Sequence, residues 1–309
     1  LWKQALASSQ LFIWTKRDLV MSLRYSRRLF LLQMLLLTAC GVRTTPSSDE
    51  ELTVGLVGYD KGEESINQYT NFNNYLSEKT GAIVRLEPTF NETQAIEHIR
   101  SYDWALVFAR PGLAAIAISQ SQYQPLFPLR GVENLRSIIV VRKNSPVGNL
   151  RELQGRIVAL GQPGSATGYY FPIYNLYGLT LSKILFAPTP KTVLEWVAQG
   201  KAAAGALSKE EFDSYSPQLK QTEFRIIFTD PHYVPSGVVL LGPTIGSKNQ
   251  EQIRKVMSEA PPDIAQEAGY VPNGPLPDYK YMIAVVNRVN SINPNAALIQ
   301  QKPVRLFKK

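Results

Sequence analysis

The sequence predicts an α/β protein with largely parallel sheets. From Leu52 onward, short apolar or β-branched runs alternate with stretches whose apolar residues recur at helical spacing. Gly or Pro marks many of the junctions, and no internal repeat is visible, which sets solenoids and propellers aside.

Leu52–Val57 reads as a strand ending at Gly58-Tyr59. Ile66, Tyr69, Phe72 and Leu76 share one helical face, and Gly81 suits the left-handed residue that closes such a helix. Ala82–Leu86 is a strand closed by Pro88, and Thr93–Arg100 is a helix with Ala95, Ile96 and Ile99 inward. Trp104–Phe108 is a buried strand, with Trp104 in the core. Pro111–Ser121 is a helix with Pro in its first turn. Ser137–Val141 and Ile157–Leu160 are strands, and a helix begins within 161–169 and reaches Tyr177. Thr189-Pro190 starts a helix with Val193, Trp196 and Val197 on one face. Ala203–Leu207, Phe224–Phe228 and Val238–Leu240 are strands; Lys248–Met257 and Tyr279–Val289 are helices. His98 is expected on a solvated face, and the basic tail 301–309 is expected to fray.

Composition narrows the classes. The chain has 309 residues, 44% apolar and 19% charged, with a formal charge of +8. That balance excludes disorder, collagen and coiled coil as the main state, and the length allows one large or two modest domains. One Cys excludes an intramolecular disulfide, and one Cys with two His excludes the usual structural zinc site. No metal or cofactor is expected.

The positive charge is unevenly placed. Arg24, Arg27 and Arg28 precede the apolar run 29–37, which is shorter than the roughly 20 residues a membrane helix needs. A basic segment followed by a short apolar one is the pattern of an export signal. Leu37-Thr38-Ala39-Cys40-Gly41 resembles the lipobox of bacterial lipoproteins, which implies lipidation of Cys40. Ser26-Arg27-Arg28-Leu29-Phe30-Leu31 resembles, less specifically, a twin-arginine export motif. Met21 is the natural start, so the expected leader is 1–39, with a signal peptide at 21–39 and an upstream extension at 1–20. A tether follows at 40–51. Removing the six basic residues and one acidic residue of 1–39 leaves 27 and 24, a net +3. The main basic cluster thus lies in the leader, and nucleic-acid binding is not expected.

The stretch Gly161–Tyr169 carries the most specific chemistry. Gly164 and Gly168 allow close backbone approach, and Ser165 and Thr167 offer hydroxyls. A following helix would add free N–H groups and the positive end of its dipole, an anion site needing no charged side chain. The same residues also suit an ordinary glycine-rich turn with a Ser/Thr cap, and spacing alone does not separate the two. No Gly-Lys-Ser/Thr follows, which excludes a Walker loop.

Pro163-Gly164-Ser165-Ala166-Thr167-Gly168-Tyr169 resembles the Pro-Gly-Ser-Thr-Ser-Gly-Tyr loop of the phosphonate-binding family, the periplasmic substrate-binding proteins of phosphate, phosphite and phosphonate ABC importers. The resemblance spans roughly 52–260. It includes Val54-Gly55-Leu56-Val57-Gly58-Tyr59, Tyr75-Leu76-Ser77-Glu78-Lys79-Thr80-Gly81 and Tyr102-Asp103-Trp104-Ala105-Leu106. It continues through 137–145 and through Leu150-Arg151-Glu152-Leu153-Gln154-Gly155-Arg156. It implies a type II periplasmic-binding fold: two lobes with mixed sheets, a double-crossover hinge and a ligand in the cleft. The lobes would be 52–135 plus 232–300, and 136–231, with crossovers near 134–137 and 229–234. It further implies a monomeric receptor on the outer side of the membrane, anchored through Cys40, that captures a small oxyanion and meets ABC permease subunits.

The resemblance is imperfect at the site. Ala166 replaces a hydroxyl, Pro190 stands where some members have a ligand-gripping His, and Ser236 stands where aminophosphonate binders carry an acid. Glu210 is a candidate for a second acid. Loops after strands add Tyr59, Phe90, Phe108 and Arg110, the last able to grip an oxyanion bidentately or to pair with a surface acid. His232 and Tyr233 fall at the expected hinge, either facing the cleft or packing. The candidate ligand set is therefore Gly164, Ser165, Ala166, Thr167, Gly168, Tyr169, Tyr59, Phe90, Phe108, Arg110, Glu210, His232 and Tyr233. Three other readings stay open: a binding protein that signals to a partner, a same-fold receptor for a different small molecule, and an enzyme acting on phosphate esters. The enzyme lacks a visible nucleophile–base pair.

Overall fold

The computed structural model describes residues 51–57, 67–132, 134–292 and 303–307. The expected leader, Cys40 and Tyr59 lie outside the described residues.

The first lobe opens with strand β1 (Glu51–Val57), helix α1 (Thr70–Thr80), β2 (Ile83–Thr89), α2 (Glu92–Ser101), β3 (Leu106–Ala109), α3 (Pro111–Gln120) and β4 (Gln124–Pro128). The second holds β5 (Ser137–Arg142), β6 (Ile157–Leu160), a π-type turn (Ala166–Tyr170) running into α4 (Phe171–Asn175), β7 (Thr180–Leu181) and β8 (Lys183–Phe186). It continues with α5 (Pro190–Ala198), β9 (Ala204–Ser208), α6 (Lys209–Tyr215) and β10 (Phe224–Thr229). The chain then returns through β11 (Val238–Leu241), α7 (Ser247–Ser258), α8 (Pro262–Glu267), α9 (Lys280–Ile292) and β12 (Val304–Arg305).

Two five-stranded sheets form, in the orders β2-β1-β3-β11-β4 and β10-β5-β9-β6-β8. Strand–helix alternation alone points to largely parallel sheets; both sheets are mixed, as the family resemblance implies. β1 runs parallel to β2 and β3, and β6 runs parallel to β8 and β9. β11 is antiparallel to β3 and β4, and β5 is antiparallel to β9 and β10. The reversed strands are the first ones after each passage between sheets. No helix lies between β4 and β5 or between β10 and β11, so no crossover helix imposes the parallel sense there. The passages occupy 129–136 and 230–237, the double crossover of a type II periplasmic-binding fold.

Local chemistry explains the helix ends. Gly81 closes α1 at φ +74, its N–H donating to the Ser77 carbonyl. Asn91 caps α2 by accepting from the Gln94 N–H, and Thr189 caps α5 by accepting from the Thr192 N–H. Helix α3 is Pro-started, and Gly112 through Ala117 are all buried. A helix apolar on every side belongs in an interior. It lies in an apolar cluster shared by both lobes, with Tyr170 and Phe171 from one side and Val285 and Val286 of α9 from another.

Three other expectations change. β2 continues through Pro88 to Thr89, tolerated because β2 is an edge strand paired only with β1. The tail does not fray at 303–307: Val304 and Arg305 pair with Leu181 and Thr180. Val304 and Leu306 are buried while Arg305 points outward, a period of two that its basic composition masked. His98 is not simply solvated, since it stacks on the buried Trp104 with ring centroids 4.8 Å apart and its Nδ1 lies 3.0 Å from Asp103.

Candidate functional site

A cleft of about 690 Å³ lies between the lobes. Its floor in the second lobe is the turn after β6. Ser165 precedes that turn and accepts the Gly168 N–H on its Oγ at 3.0 Å, which leaves its own O–H free to donate. The Ser165 carbonyl accepts from the Tyr169 and Tyr170 N–H groups, and the Gly161 N–H donates to the Gly168 carbonyl at 2.9 Å. The N–H groups of Ala166 and Thr167 open the turn and have no acceptor among the described residues. Ser137 Oγ, at the start of β5, donates to the Thr167 carbonyl at 2.7 Å and ties the turn to the sheet.

The first lobe presses on this turn through glycines. Gly112 packs so closely that a Cβ there would lie 2.0 Å from the Gly164 carbonyl oxygen. Gly164 itself has φ +112, and a Cβ on it would lie 2.4 Å from the Glu92 Cβ. Both positions require the missing side chain.

Gly164, Ser165, Ala166, Thr167, Gly168, Phe90, Phe108, Arg110 and Glu210 all line the cleft. Pro190 and Ser236, the two departures from the family pattern, line it too. Phe90 is 55% exposed and offers a free aromatic face. Phe108 is mostly core, with ring centroids 5.0 Å from Tyr69 and 5.4 Å from Phe72.

Three candidates are not cleft residues. Tyr169 turns inward onto Tyr170 and Phe186, and burial pushes its phenol up to about 12. His232 stacks on Tyr281 at 4.1 Å, with its Nδ1 3.1 Å from Asp230. Tyr233 is 52% exposed beneath the Arg136 guanidinium. The buried Asp230 carboxylate accepts the His232 backbone N–H and fixes the turn at that residue.

Sequence reading missed Glu92, Glu211 and Arg130, which also line the cleft. Glu211 closes a capping box: Ser208 Oγ accepts the Glu211 N–H, and the Glu211 carboxylate accepts the Ser208 N–H. Ser-x-x-Glu is a helix-start spacing that could have revealed α6, but nothing local shows that it faces the turn. Glu92 is buried, and burial pushes its pKa from the ordinary 4.5 up to about 7. The charged groups lining the cleft are thus three carboxyls and two guanidiniums. Among the described residues no cluster of His, Cys, Asp and Glu could hold a metal ion.

Two mixed sheets joined by two direct passages, with a cleft between them, define a two-lobed periplasmic-type binding protein. The chain belongs to the ABC transporter phosphonate periplasmic substrate-binding protein family, whose model matches residues 54–271. This is a family of substrate-binding proteins, not enzymes, and its members pass a small ligand to permease subunits.

Solved structures share the fold. XAC2383 from Xanthomonas citri bound to chloride ion is 20% identical with TM-score 0.66, over 78% of this chain and 99% of that one. PhnD1 from Prochlorococcus marinus in complex with methylphosphonate is 18% identical with TM-score 0.62, over 79% and 100%. A binding protein component of an ABC phosphonate transporter from Pseudomonas aeruginosa is 13% identical with TM-score 0.60, over 81% and 91%. No curated protein matches the chain in sequence.

Proposed function

We propose that this chain is a lipid-anchored, monomeric receptor that captures a small oxyanion of phosphate, phosphite or phosphonate type and delivers it to a membrane permease. One observation carries the reading. The Gly164–Gly168 turn lines the cleft with a polarised Ser165 hydroxyl and unsatisfied N–H groups, a preorganised set of donors for anionic oxygens. Arg110, on the opposite lobe, supplies positive charge across the same space. The lobes would be 52–135 plus 232–300, and 136–231, closing about the passages between the sheets.

Calorimetry with phosphate, phosphite, methylphosphonate and 2-aminoethylphosphonate tests the ligand class. Heat from at least one supports it; none would remove the oxyanion. Ser165→Ala is expected to weaken the ligand that binds by about 1–3 kcal/mol, the usual worth of a hydrogen bond to a charged group. An unchanged Kd would place the ligand elsewhere in the cleft.

The anchor has its own test. Cys40→Ser is expected to move the protein from the membrane to the soluble fraction, because two acyl chains suffice for stable attachment. Unchanged fractionation would reject lipidation.

A further inference from the structure

Glu92 has no role in the anion turn as described, yet it is built against it. It opens α2, lines the cleft, and is 1% exposed. Its Oε2 is buried with no hydrogen-bond partner among the described residues. Its Cβ and Cγ lie where a Gly164 side chain would be, so the carboxyl is held against the turn by main-chain packing.

The groups that face it come from three elements. Arg110, between β3 and α3, favours its charged form; Glu211 of α6 opposes it; Tyr170 of the turn couples to it. Burial outweighs Arg110, and the acid titrates at about 7 rather than at 4.5. An ionised Glu92 would repel an anion seated on the same turn, with little water between to screen it. A proton between the two oxygens removes that conflict and gives Oε2 a partner.

We propose that Glu92 is a specificity-determining residue, and that it and the bound oxyanion hold one proton between them. The inference rests on the oxyanion reading of the cleft. An anion that keeps an O–H donates it to the Glu92 carboxylate. An anion without one requires Glu92 to arrive protonated and to donate instead. No covalent bond to a heavier atom changes; only the side that owns the proton differs. The cleft therefore prefers proton-bearing oxyanions once the pH exceeds that at which Glu92 ionises.

Phosphate and sulfate separate these cases. Near pH 8.5 both are tetrahedral dianions, but only phosphate retains an O–H. In the wild-type protein, sulfate affinity is expected to fall by close to tenfold between about pH 7.5 and 8.5, while phosphate changes less than about threefold over the same range. Calorimetry in buffers of different ionisation heat should show about one proton taken up with sulfate near pH 8, and none with phosphate. In Glu92→Gln the phosphate-to-sulfate preference near pH 8.5 should drop at least about tenfold.

If wild type binds no sulfate at any pH, Glu92→Gln should gain it. Parallel pH profiles for the two anions, equal proton uptake, or an unchanged preference in a folded Glu92→Gln would overturn the role. The wild-type measurements decide even if the variant does not fold. Where wild type binds no sulfate and the variant does not fold, phosphate affinity that changes less than about threefold between about pH 7.5 and 8.5, with no proton uptake near pH 8.5, supports the role, and a larger loss across that range overturns it. Binding of phosphate or methylphosphonate with any of those overturning outcomes removes Glu92's role alone. No binding of phosphate, sulfate or methylphosphonate at any pH removes the oxyanion reading itself.

Discussion

Gly164→Ala is expected to lose about 2–5 kcal/mol of stability and to abolish ligand capture. Two costs combine. At φ +112 an L side chain sits in strained backbone, worth about 1–2 kcal/mol. The new Cβ would also lie 2.4 Å from the Glu92 Cβ, an atom fixed to the α2 backbone that cannot swing aside. Forcing a methyl into a packed site costs a further ~1–3 kcal/mol and pushes the turn away from the first lobe. The displaced turn carries Ser165 and Thr167, so binding fails with stability. Gly178→Ala is the control: its φ is +93, but nothing lies within 4 Å of its added Cβ, so only the strain remains. Urea unfolding of the two variants separates the terms. Equal losses would mean that the contact between Gly164 and Glu92 contributes nothing.

That contact also marks where reading the sequence stops. The strand–turn–helix order around Gly161–Tyr169 was legible because Gly, Ser and Thr there have local backbone consequences. The caps at Asn91, Thr189 and Ser208 are likewise short-range events. Strand sense was not local. Helix-linked strands follow the parallel rule, but β5 and β11 are reached without a helix and run the other way. Glu92 escaped notice for a related reason. At the first position of α2 a Glu reads as an ordinary helix-dipole partner, and only the packing of α2 on Gly164 makes it part of the cleft. His232 and Tyr233 show the opposite case, in which the sequence left facing the cleft and packing both open. Their place in the chain beside the hinge is local, but their packing is set by distant partners: the Asp230 carboxylate and Tyr281 for His232, and the Arg136 guanidinium for Tyr233.

That carboxylate makes Asp230→Ala the second large expected loss, about 2–4 kcal/mol. Asp230 is 1% exposed in the passage from β10 to β11. Its N–H donates to the Ser137 carbonyl at 2.9 Å, and its own carbonyl accepts from Arg136 Nη1 at 3.0 Å, so its main chain joins both passages. Its Oδ1 accepts the His232 N–H at 2.8 Å, and its Oδ2 accepts from Asn175 Nδ2 on α4. Alanine keeps the main-chain bonds and removes both side-chain acceptors. Hydrogen bonds to a charged group are worth about 1.5–3 kcal/mol each, and the His232 and Asn175 donors would be left poorly satisfied. Asn175 also donates to the Phe171 carbonyl at 2.8 Å, which holds the total toward the lower end. His232→Ala keeps Asp230 and its Asn175 bond, so it should cost less than Asp230→Ala. Denaturant unfolding ranks the two, and a Kd measured on each tells whether the hinge clamp serves binding or folding. Loosening the passages should weaken ligand in Asp230→Ala more than in His232→Ala. A stability loss below about 1 kcal/mol for Asp230→Ala would show that water replaces both bonds and that the passages are held by main-chain bonds alone.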